Sequence, residues 1–260
     1  MSNRRHILIP DTQVKPGVPL DHIKATGNLI VDMQPDVVVM IGDWWDMPSL
    51  NSYEKPGSKY FHDKTYRDDI ESGLTAMEHL LSPLWNHQSR SRKNRKRRYN
   101  PRLVFTLGNH EYRIDRAIHD DPRLEGTIST EDFQLKKLGW EVYRFLDIVK
   151  IDNILYSHYF VNPDSLKKNP IGGTIENKLQ KIGHSFSQGH QQIYQFGMRH
   201  DGLGTPKIGL VWGTFYAHDE EYLGPQGNAR FNGVMVKNEV RDGFYCPMPL
   251  SMEYLLADYL

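Results

Sequence analysis

The feature that most constrains this chain is a set of short apolar runs, each of which ends abruptly at a polar or glycine-containing turn. Asp36 to Ile41 is almost wholly apolar and β-branched, which is typical of a strand buried on both faces. Leu103 to Leu107 is a second such run, and His6 to Pro10 is a third that stops at Asp11. Buried strands that alternate with helical patterns indicate an α/β fold.

The segments between these strands have helical periodicity. A helical pattern extends from Asp21 to about Gln34, and apolar residues recurring at helical intervals predict a long amphipathic helix from Tyr66 to about His87. A short helix capped by Ser129 or Thr130 is expected to extend through Leu138. The first half of the chain is therefore expected to alternate strands with helices.

The second half of the chain changes to short β-segments that Gly and Pro residues separate, with one helix predicted from Thr174 to Ile182. The predicted β-segments are Glu141 to Phe145, Ile148 to Ile151, Ile154 to Ser157, Tyr194 to Met198, Ile208 to Tyr216, Gly233 to Val240 and Tyr245 to Leu256. We expect two mixed sheets packed face to face with helices outside, a four-layer α/β/β/α sandwich. A chain of 260 residues can bury a sizeable core, and we expect a single domain over residues 1–260.

Composition limits the classes of partner and the compartment. Lys+Arg and Asp+Glu are both 32, so global charge indicates neither nucleic acid nor membrane as a partner. The one cysteine, Cys246, excludes an intramolecular disulfide framework and a cysteine-rich zinc site. The apolar run after Arg5 is too short for a signal peptide, and no stretch approaches the roughly 18 apolar residues of a membrane span. We expect a cytoplasmic protein whose oligomeric state the sequence does not indicate.

Polar side chains that follow successive strands are expected to meet, because loops leaving the carboxyl ends of strands gather at one edge of a sheet. Such residues are Asp11, Asp43, Asn109 and His158, and His190 is a fifth candidate that follows Ser185 to Gly189. Carboxylate, amide oxygen and imidazole together suit Mn, Fe or Zn, whereas Mg prefers oxygen alone. The sequence therefore predicts a metal site.

The order of these motifs resembles the calcineurin-like metallophosphoesterase superfamily. Its motifs are Asp-x-His, Gly-Asp-x-x-Asp, Gly-Asn-His-Asp/Glu, a lone His, and Gly-His-x-His. The matching segments here are Asp11-Thr12-Gln13, Gly42-Asp43-Trp44-Trp45-Asp46, Gly108-Asn109-His110-Glu111, His158, and Gly189-His190-Gln191-Gln192. Five motifs in order, each after a predicted strand and together covering residues 6–192, are a much more specific signal than any one of them.

The resemblance implies a pair of divalent cations, with Asp43 bridging both. Asn109, His158 and His190 would complete the site of one cation, and Asp11 would belong to the other. Two cations can hold a hydroxide and neutralise charge on both the attacking and the leaving oxygen of a phosphoryl displacement.

The resemblance also implies an acid dyad next to the metals. His110 would protonate the leaving oxygen or steady the phosphoryl group, and Asp46 would orient His110. Arg113, close behind this motif, could bind a substrate phosphate through its planar fork, or it could be a surface arginine at the start of a helix.

Two positions depart from the family pattern. Gln13 and Gln192 stand where the family has histidines, and both would bind the cation of Asp11. An amide oxygen is a harder and weaker donor than imidazole, so we expect this site to prefer Mn or Mg and to exchange its ion more readily than the other site. Alternatively, the glutamines bond locally and the cation is absent. His218 could supply a replacement ligand or be a solvated loop histidine.

The sequence has one strongly basic segment and one aromatic cluster. Seven Lys and Arg residues between Arg90 and Arg98 could bind nucleic acid through phosphate contacts or form a solvated loop. The aromatic residues that follow Asp43 could stack a base or pack in the core. They are Trp44, Trp45, Tyr53, Tyr60 and Phe61.

These features favour a metal-dependent phosphodiesterase or nuclease acting on DNA, RNA or a nucleotide, with Mn as the preferred metal and Mg, Fe or Zn as alternatives. The closest rival is a phosphomonoesterase of phosphoprotein or small molecules. A third hypothesis is a catalytically weakened scaffold that binds nucleic acid through residues 90–98. The fold resemblance alone does not select among these substrates.

Overall fold

The computed structural model describes residues 4–55, 57–162, 164, 168–218 and 230–260. The strands in these residues are β1 (Arg4–Ile9), β2 (Val37–Met40), β3 (Arg102–Thr106), β4 (Glu141–Tyr143), β5 (Val149–Ile151), β6 (Ile154–Tyr156), β7 (Phe186–Gln188), β8 (Gln195–His200), β9 (Pro206–Val211), β10 (Gly233–Arg241) and β11 (Phe244–Ser251). The α-helices are α1 (Asp21–Met33), α2 (Tyr66–Lys93), α3 (Arg113–Asp120), α4 (Ile175–Ile182) and α5 (Met252–Tyr259). Single turns of 3₁₀ helix form at Pro48–Leu50, Lys59–Phe61, Pro122–Leu124 and Thr130–Phe133.

The strands form two mixed sheets. The order in the six-stranded sheet is β11-β10-β1-β2-β3-β4. Strands β1 to β4 are parallel, β10 is antiparallel to β1, and β11 is antiparallel to β10. The order in the five-stranded sheet is β5-β6-β7-β9-β8, with β6, β7 and β9 parallel and antiparallel strands at both edges.

Three separate apolar clusters identify the layers. Successive side chains of β1 point to opposite faces, so Ile7 packs in the cluster with helices α1 and α2 while Leu8 packs in the cluster between the sheets. A third cluster, which includes Leu179 of α4, covers the outer face of the five-stranded sheet. This arrangement confirms the four-layer α/β/β/α sandwich.

The long helix α2 continues beyond its predicted end at His87 to Lys93. The Thr65 side chain caps its first turn by accepting from the Asp68 amide at 3.1 Å. Arg90, Arg92 and Lys93 occupy the last turn, where cations are stabilised by the partial negative charge of the helix end. The first part of the basic segment is therefore helical rather than loop.

Several element boundaries were predicted wrongly. Ser129 does cap a turn, but helix ends at Phe133 because Gln134 adopts a left-handed conformation with φ 53°. The last predicted strand stops at Ser251, whose hydroxyl accepts from the Tyr254 amide and begins α5. The strand predicted over 208–216 ends at Val211. Helix α3 does begin at Arg113, as one of the two alternatives for that residue had it, but Arg113 is buried rather than at the surface, and the extent of the helix was not predicted.

None of the helices in the described residues combines the length and apolar character needed to cross a bilayer.

A lysine is fully buried between the two sheets. Lys237 on β10 donates through Nζ to Ser187 Oγ at 2.6 Å and to Tyr156 Oη at 3.1 Å. The same Nζ lies 4.6 Å from the centre of the Tyr245 ring. Burial lowers the pKa of Lys237 well below the ordinary value of 10.5, because the ammonium form loses its hydration inside the fold.

The free energy of unfolding of Lys237→Met should therefore rise, relative to that of the native chain, as the pH is lowered. The folded pKa is depressed, so native stability falls as the pH drops below 10.5 and the unfolded chain takes up a proton that the folded chain refuses. Urea unfolding of both proteins between about pH 10 and about pH 7 measures the change. Lys150→Met on the exposed face of β5 is the control, and a pH-independent difference for Lys237 would contradict the prediction.

Candidate metal centre

The candidate site lies where the carboxyl ends of strands from both sheets meet. Asp43 and Asn109 follow β2 and β3 of one sheet, and His158 and His190 follow β6 and β7 of the other. Asp11 follows β1, which is parallel to β2. Because the strands in each group are parallel, the loops after them collect at one edge, as expected for a ligand site.

Four donor atoms converge at this edge. Asn109 Oδ1 lies 2.8 Å from His158 Nε2 and 2.7 Å from His190 Nδ1. His158 Nε2 lies 3.3 Å from Asp43 Oδ2. One donor atom from each of Asp43, His158 and His190 lies within 4.8 Å of the other two. The mixture of carboxylate, amide and imidazole donors suits a divalent transition metal.

The fully buried ring of His158 is held with Nε2 facing this cluster. Its Nδ1 donates to the Ile41 carbonyl at 2.9 Å, a second bond of the kind that orients metal-binding histidines. Burial lowers the pKa of His158, but the Asp43 and Asp11 carboxylates and the hydrogen bond to Ile41 together outweigh burial and raise the pKa to about 9. A cation bound here would therefore displace a proton from Nε2.

His190 is the second imidazole of the cluster. Burial, together with neighbouring His158, lowers the pKa of His190 to about 4, so its ring is neutral near pH 7. Its backbone is left-handed, with φ 63°. A neutral ring can present a lone pair to a cation, which is the form that metal binding requires.

Glu111 holds the backbone of the Asp43 loop in place. In the sequence, Glu111 stands out only as the last residue of a motif, and no role was predicted for it. The buried Glu111 carboxylate accepts from the backbone amides of Asp43 at 2.9 Å, Trp45 at 3.0 Å and Gly108 at 2.7 Å. A Cβ at Gly108 would lie 2.1 Å from Asp43 Oδ1, so only glycine allows this approach. The His110 amide donates to Asp43 Oδ1 at 2.9 Å, which leaves Asp43 Oδ2 facing the histidines.

Asp11 is completely buried beside this cluster. Its Oδ1 accepts from the His190 amide at 3.1 Å, and its Oδ2 is buried without a hydrogen-bond partner among the described residues. Burial and the Asp43 carboxylate raise the pKa of Asp11 to about 8. A buried, unpartnered carboxylate oxygen is costly unless a proton or a cation satisfies it, so Asp11 fits the edge of a second cation site.

The structure gives the two glutamines different surroundings. Gln13 is buried next to Asp11, and its backbone N–H donates to the Asp43 carbonyl at 2.8 Å. Gln192 Oε1 instead accepts from Arg230 Nη1 at 2.7 Å and from Tyr216 Oη at 3.3 Å. The Tyr216 ring stacks on His218 with centroids 4.6 Å apart. The contact between Gln192 and Arg230 was not predicted.

His110, Asp46 and Arg113 form a connected group beside the donor cluster. His110 Nδ1 lies 3.0 Å from Asp46 Oδ1 and 2.8 Å from the Asp46 carbonyl, and His110 Nε2 lies 3.8 Å from Asp43 Oδ2. Arg113 Nη1 donates to the carbonyls of Asp46 and Met47, while its Nη2 lies 3.4 Å from His110 Nε2. Asp46 therefore fixes the ring so that Nε2 faces the site.

The charges of this group suit a proton donor. Burial raises the pKa of Asp46, but the hydrogen bond and charge of His110, together with the charges of Lys15 and Arg113, outweigh burial and lower the pKa to about 2. Burial lowers the pKa of His110, but the Asp43 and Asp46 carboxylates together outweigh burial and raise it. An imidazolium whose Nδ1 is held by an ionised carboxylate can donate the proton on its other ring nitrogen, Nε2.

A cleft of about 470 Å³ opens next to Arg113. The residues that line the cleft include Arg113, Arg116 and Asp120 of α3 and also Asn51, Ser52, Glu54 and Phe61. The volume is within the range of pockets that hold small ligands, roughly 300–1,000 Å³. Of the aromatic residues after Asp43, Phe61 is therefore at this cleft.

The two tryptophans after Asp43 are core residues. Trp44 and Trp45 are fully buried, and Trp45 stacks on Phe133 with centroids 4.1 Å apart. The Trp44 indole donates to the Gly73 carbonyl at 3.0 Å and so fastens the Asp43 loop to α2. These rings are not accessible for stacking on a base.

The basic segment lies near the amino-terminal end of β2, whereas the candidate site lies at the carboxyl end of the same strand. Helix α2 passes the Asp43 loop near its start and then extends over 28 residues, about 42 Å in total. Beyond the segment, Tyr99 Oη donates to the Pro35 carbonyl and the Arg102 amide donates to the Asp36 carbonyl, both at the amino-terminal end of β2. Residues 90–98 therefore do not contact a phosphate that lies beside His110.

Comparisons with known proteins give only distant similarities. No family model and no curated protein matches this chain. One solved crystal structure is similar at 10% identity over 96% of this chain and 100% of its own, with a TM-score of 0.42. The crystal structure of TT1561 of Thermus thermophilus is similar at 8% identity over 95% of this chain and 99% of its own, with a TM-score of 0.34. Similarities of this size show neither a family nor an activity.

Proposed function

We propose that this chain is a metal-dependent phosphoesterase of the calcineurin-like metallophosphoesterase superfamily. The observation that carries the proposal is the convergence of Asp43 Oδ2, Asn109 Oδ1, His158 Nε2 and His190 Nδ1 from four strand ends. We propose that these atoms hold one divalent cation, with Mn favoured by the mixed donor set. A second, weaker cation would be held by Asp11, with Gln13 and Gln192 as further candidate ligands.

The chain's own residues would then position and protonate the substrate. Bound divalent cations would lower the pKa of water and neutralise charge on phosphoryl oxygens. His110 Nε2 faces the same region as Asp43 Oδ2 and would donate a proton to the leaving oxygen, while Asp46 keeps the ring oriented. Arg113 Nη2, beside His110 Nε2, would bind a phosphoryl oxygen.

We propose a phosphodiester in a nucleotide or in nucleic acid as the substrate. The cleft beside Arg113 has the volume for a nucleoside, a second arginine for a further phosphate, and the Phe61 ring for a base. The basic segment 90–98 is too far away to bind the reacting phosphate. Its contribution to substrate binding would therefore be limited to a long nucleic acid that extends around the protein.

Three substrates separate the candidate activities. With Mn²⁺ present, we expect hydrolysis of bis-p-nitrophenyl phosphate and of single-stranded DNA at higher rates than hydrolysis of p-nitrophenyl phosphate. Hydrolysis of the monoester alone would exclude the diesterase and support a phosphomonoesterase. No hydrolysis of any substrate, together with salt-sensitive DNA binding that survives chelation and His110→Ala, would instead support a nucleic-acid-binding scaffold.

A further inference from the structure

The side chain of Gln192 is already engaged by a cation of the protein. Its Oε1 accepts from Arg230 Nη1 at 2.7 Å, and the same Nη1 lies 3.2 Å from the Gln192 backbone carbonyl. The Tyr216 hydroxyl donates to the same Oε1 at 3.3 Å. An amide oxygen has two lone pairs, so Arg230 and Tyr216 together use its accepting capacity.

Gln192 lies on the loop that contacts Asp11. His190, two residues earlier, donates its amide to Asp11 Oδ1 at 3.1 Å, while Asp11 Oδ2 is buried without a hydrogen-bond partner among the described residues. Gly189 allows this approach, because a Cβ there would lie 2.3 Å from Asp11 Oδ1. Asp11 is therefore ready to accept a cation, whereas the oxygen of Gln192 can reach that cation only by giving up Arg230.

The charge of Arg230 acts in the same direction as its hydrogen bond. The arginine side chain is a permanent positive charge in proteins. A divalent cation at the Gln192 oxygen would meet this positive charge at short range, in a partly buried place where repulsion is poorly screened. Arg230 thus opposes a second cation both by occupying a ligand atom and by repulsion.

We infer that Arg230 is a built-in competitor of the second cation and sets the affinity of the Asp11 site. The inference rests on the proposed function, and it adds a residue outside the family motifs to the control of metal occupancy. The other proposed cation site, called the tight site below, is formed by Asp43, Asn109, His158 and His190. It is separate, because these four donors make their contacts with one another without Arg230. Only the weaker affinity should depend on Arg230.

Mn²⁺ titration of chelator-stripped protein, followed by the electron paramagnetic resonance signal of free Mn²⁺, tests this inference. The native chain should bind one ion tightly and one weakly. Arg230→Gln should tighten the weak site by roughly tenfold or more and leave the tight site unchanged. Arg230→Lys keeps the positive charge but loses the planar guanidinium, so it should tighten the weak site less than Arg230→Gln does. Arg241→Gln, at an exposed position on β10, is the matched control.

A double-mutant cycle shows whether Arg230 acts through Gln192. In a Gln192→Ala background the tightening by Arg230→Gln should shrink, because the contested oxygen is gone. An unchanged or weakened second site in Arg230→Gln, with the tight site intact, would overturn the inference and leave the proposed function standing. Absence of the tight site in the native chain would overturn both. Circular dichroism confirms that each variant is folded.

Discussion

His110→Asn is expected to slow hydrolysis by roughly 10²- to 10⁴-fold while Mn²⁺ binding stays at the native level. The substitution removes the ring whose Nε2 faces the site, but it keeps the backbone amide that donates to Asp43 Oδ1 at 2.9 Å. The Asp43 loop should therefore retain its position. The measurement is kcat with a phosphodiester, together with Mn²⁺ affinity from the same preparation.

The dependence on the leaving group identifies what His110 does. If His110 protonates the leaving oxygen, the loss should be large for an alkyl ester and much smaller for a p-nitrophenyl ester, whose leaving group needs little protonation. His119→Asn, an exposed position on the same helix α3 that follows this motif, should have no effect. Equal losses with both esters would contradict general-acid catalysis by His110.

Glu111→Ala is expected to destabilise the protein by about 3 kcal/mol or more, out of the roughly 5–15 kcal/mol typical of a folded domain. The substitution leaves three buried backbone amides, those of Asp43, Trp45 and Gly108, without their acceptor. Each stranded donor costs about 1–3 kcal/mol, and removing a buried carboxylate offsets part of that cost. Urea unfolding in the presence of chelator measures the change without a contribution from metal.

Two further variants isolate the role of the Glu111 carboxylate. Glu111→Gln keeps the shape and one acceptor oxygen, so its loss of stability should be intermediate. Glu131→Ala removes an exposed carboxylate that pairs with Lys136, and it should cost at most about 1 kcal/mol. If the stability of Glu111→Ala is within about 1 kcal/mol of the native chain, the three hydrogen bonds do not determine the conformation of the Asp43 loop.

The strand ends that carry the candidate ligands could be predicted because the strands are buried on both faces. Runs such as Val37 to Ile41 leave no polar face, and the first polar side chain after each run falls at the carboxyl end of its strand. Parallel pairing then brings Asp43 and Asn109 to the same edge as Asp11. The layered architecture followed from the same pattern, since such strands need cover on both sides.

The extent of helix α3 and the presence of helix α5 could not be predicted in the same way. Helix α3 has only 8 residues, and its apolar stripe is limited to Ile114, Ala117 and Ile118, which is too short a pattern to delimit a helix. Helix α5 directly follows β11, and the apolar residues after Ser251 continued the apparent strand. The cap at Ser251, rather than a change in hydrophobicity, ends the strand.

Long-range contacts explain most of what the sequence did not indicate at the site. Glu111 binds amides in the Asp43 loop 66 and 68 residues away, and Arg230 binds Gln192 from 38 residues away. Neither pairing has a local sequence signal. The basic segment was judged from its charge alone, but its distance from the site depends on the length and direction of α2.

Anomalous diffraction from a crystal soaked in Mn²⁺ tests the central claim most directly. Side chains that four separate strands deliver should hold a cation, so we predict a strong anomalous peak within coordination distance of Asp43, Asn109, His158 and His190. A second, weaker peak near Asp11 is expected at high Mn²⁺ concentration. Well-ordered crystals without a peak among those four residues would contradict the account.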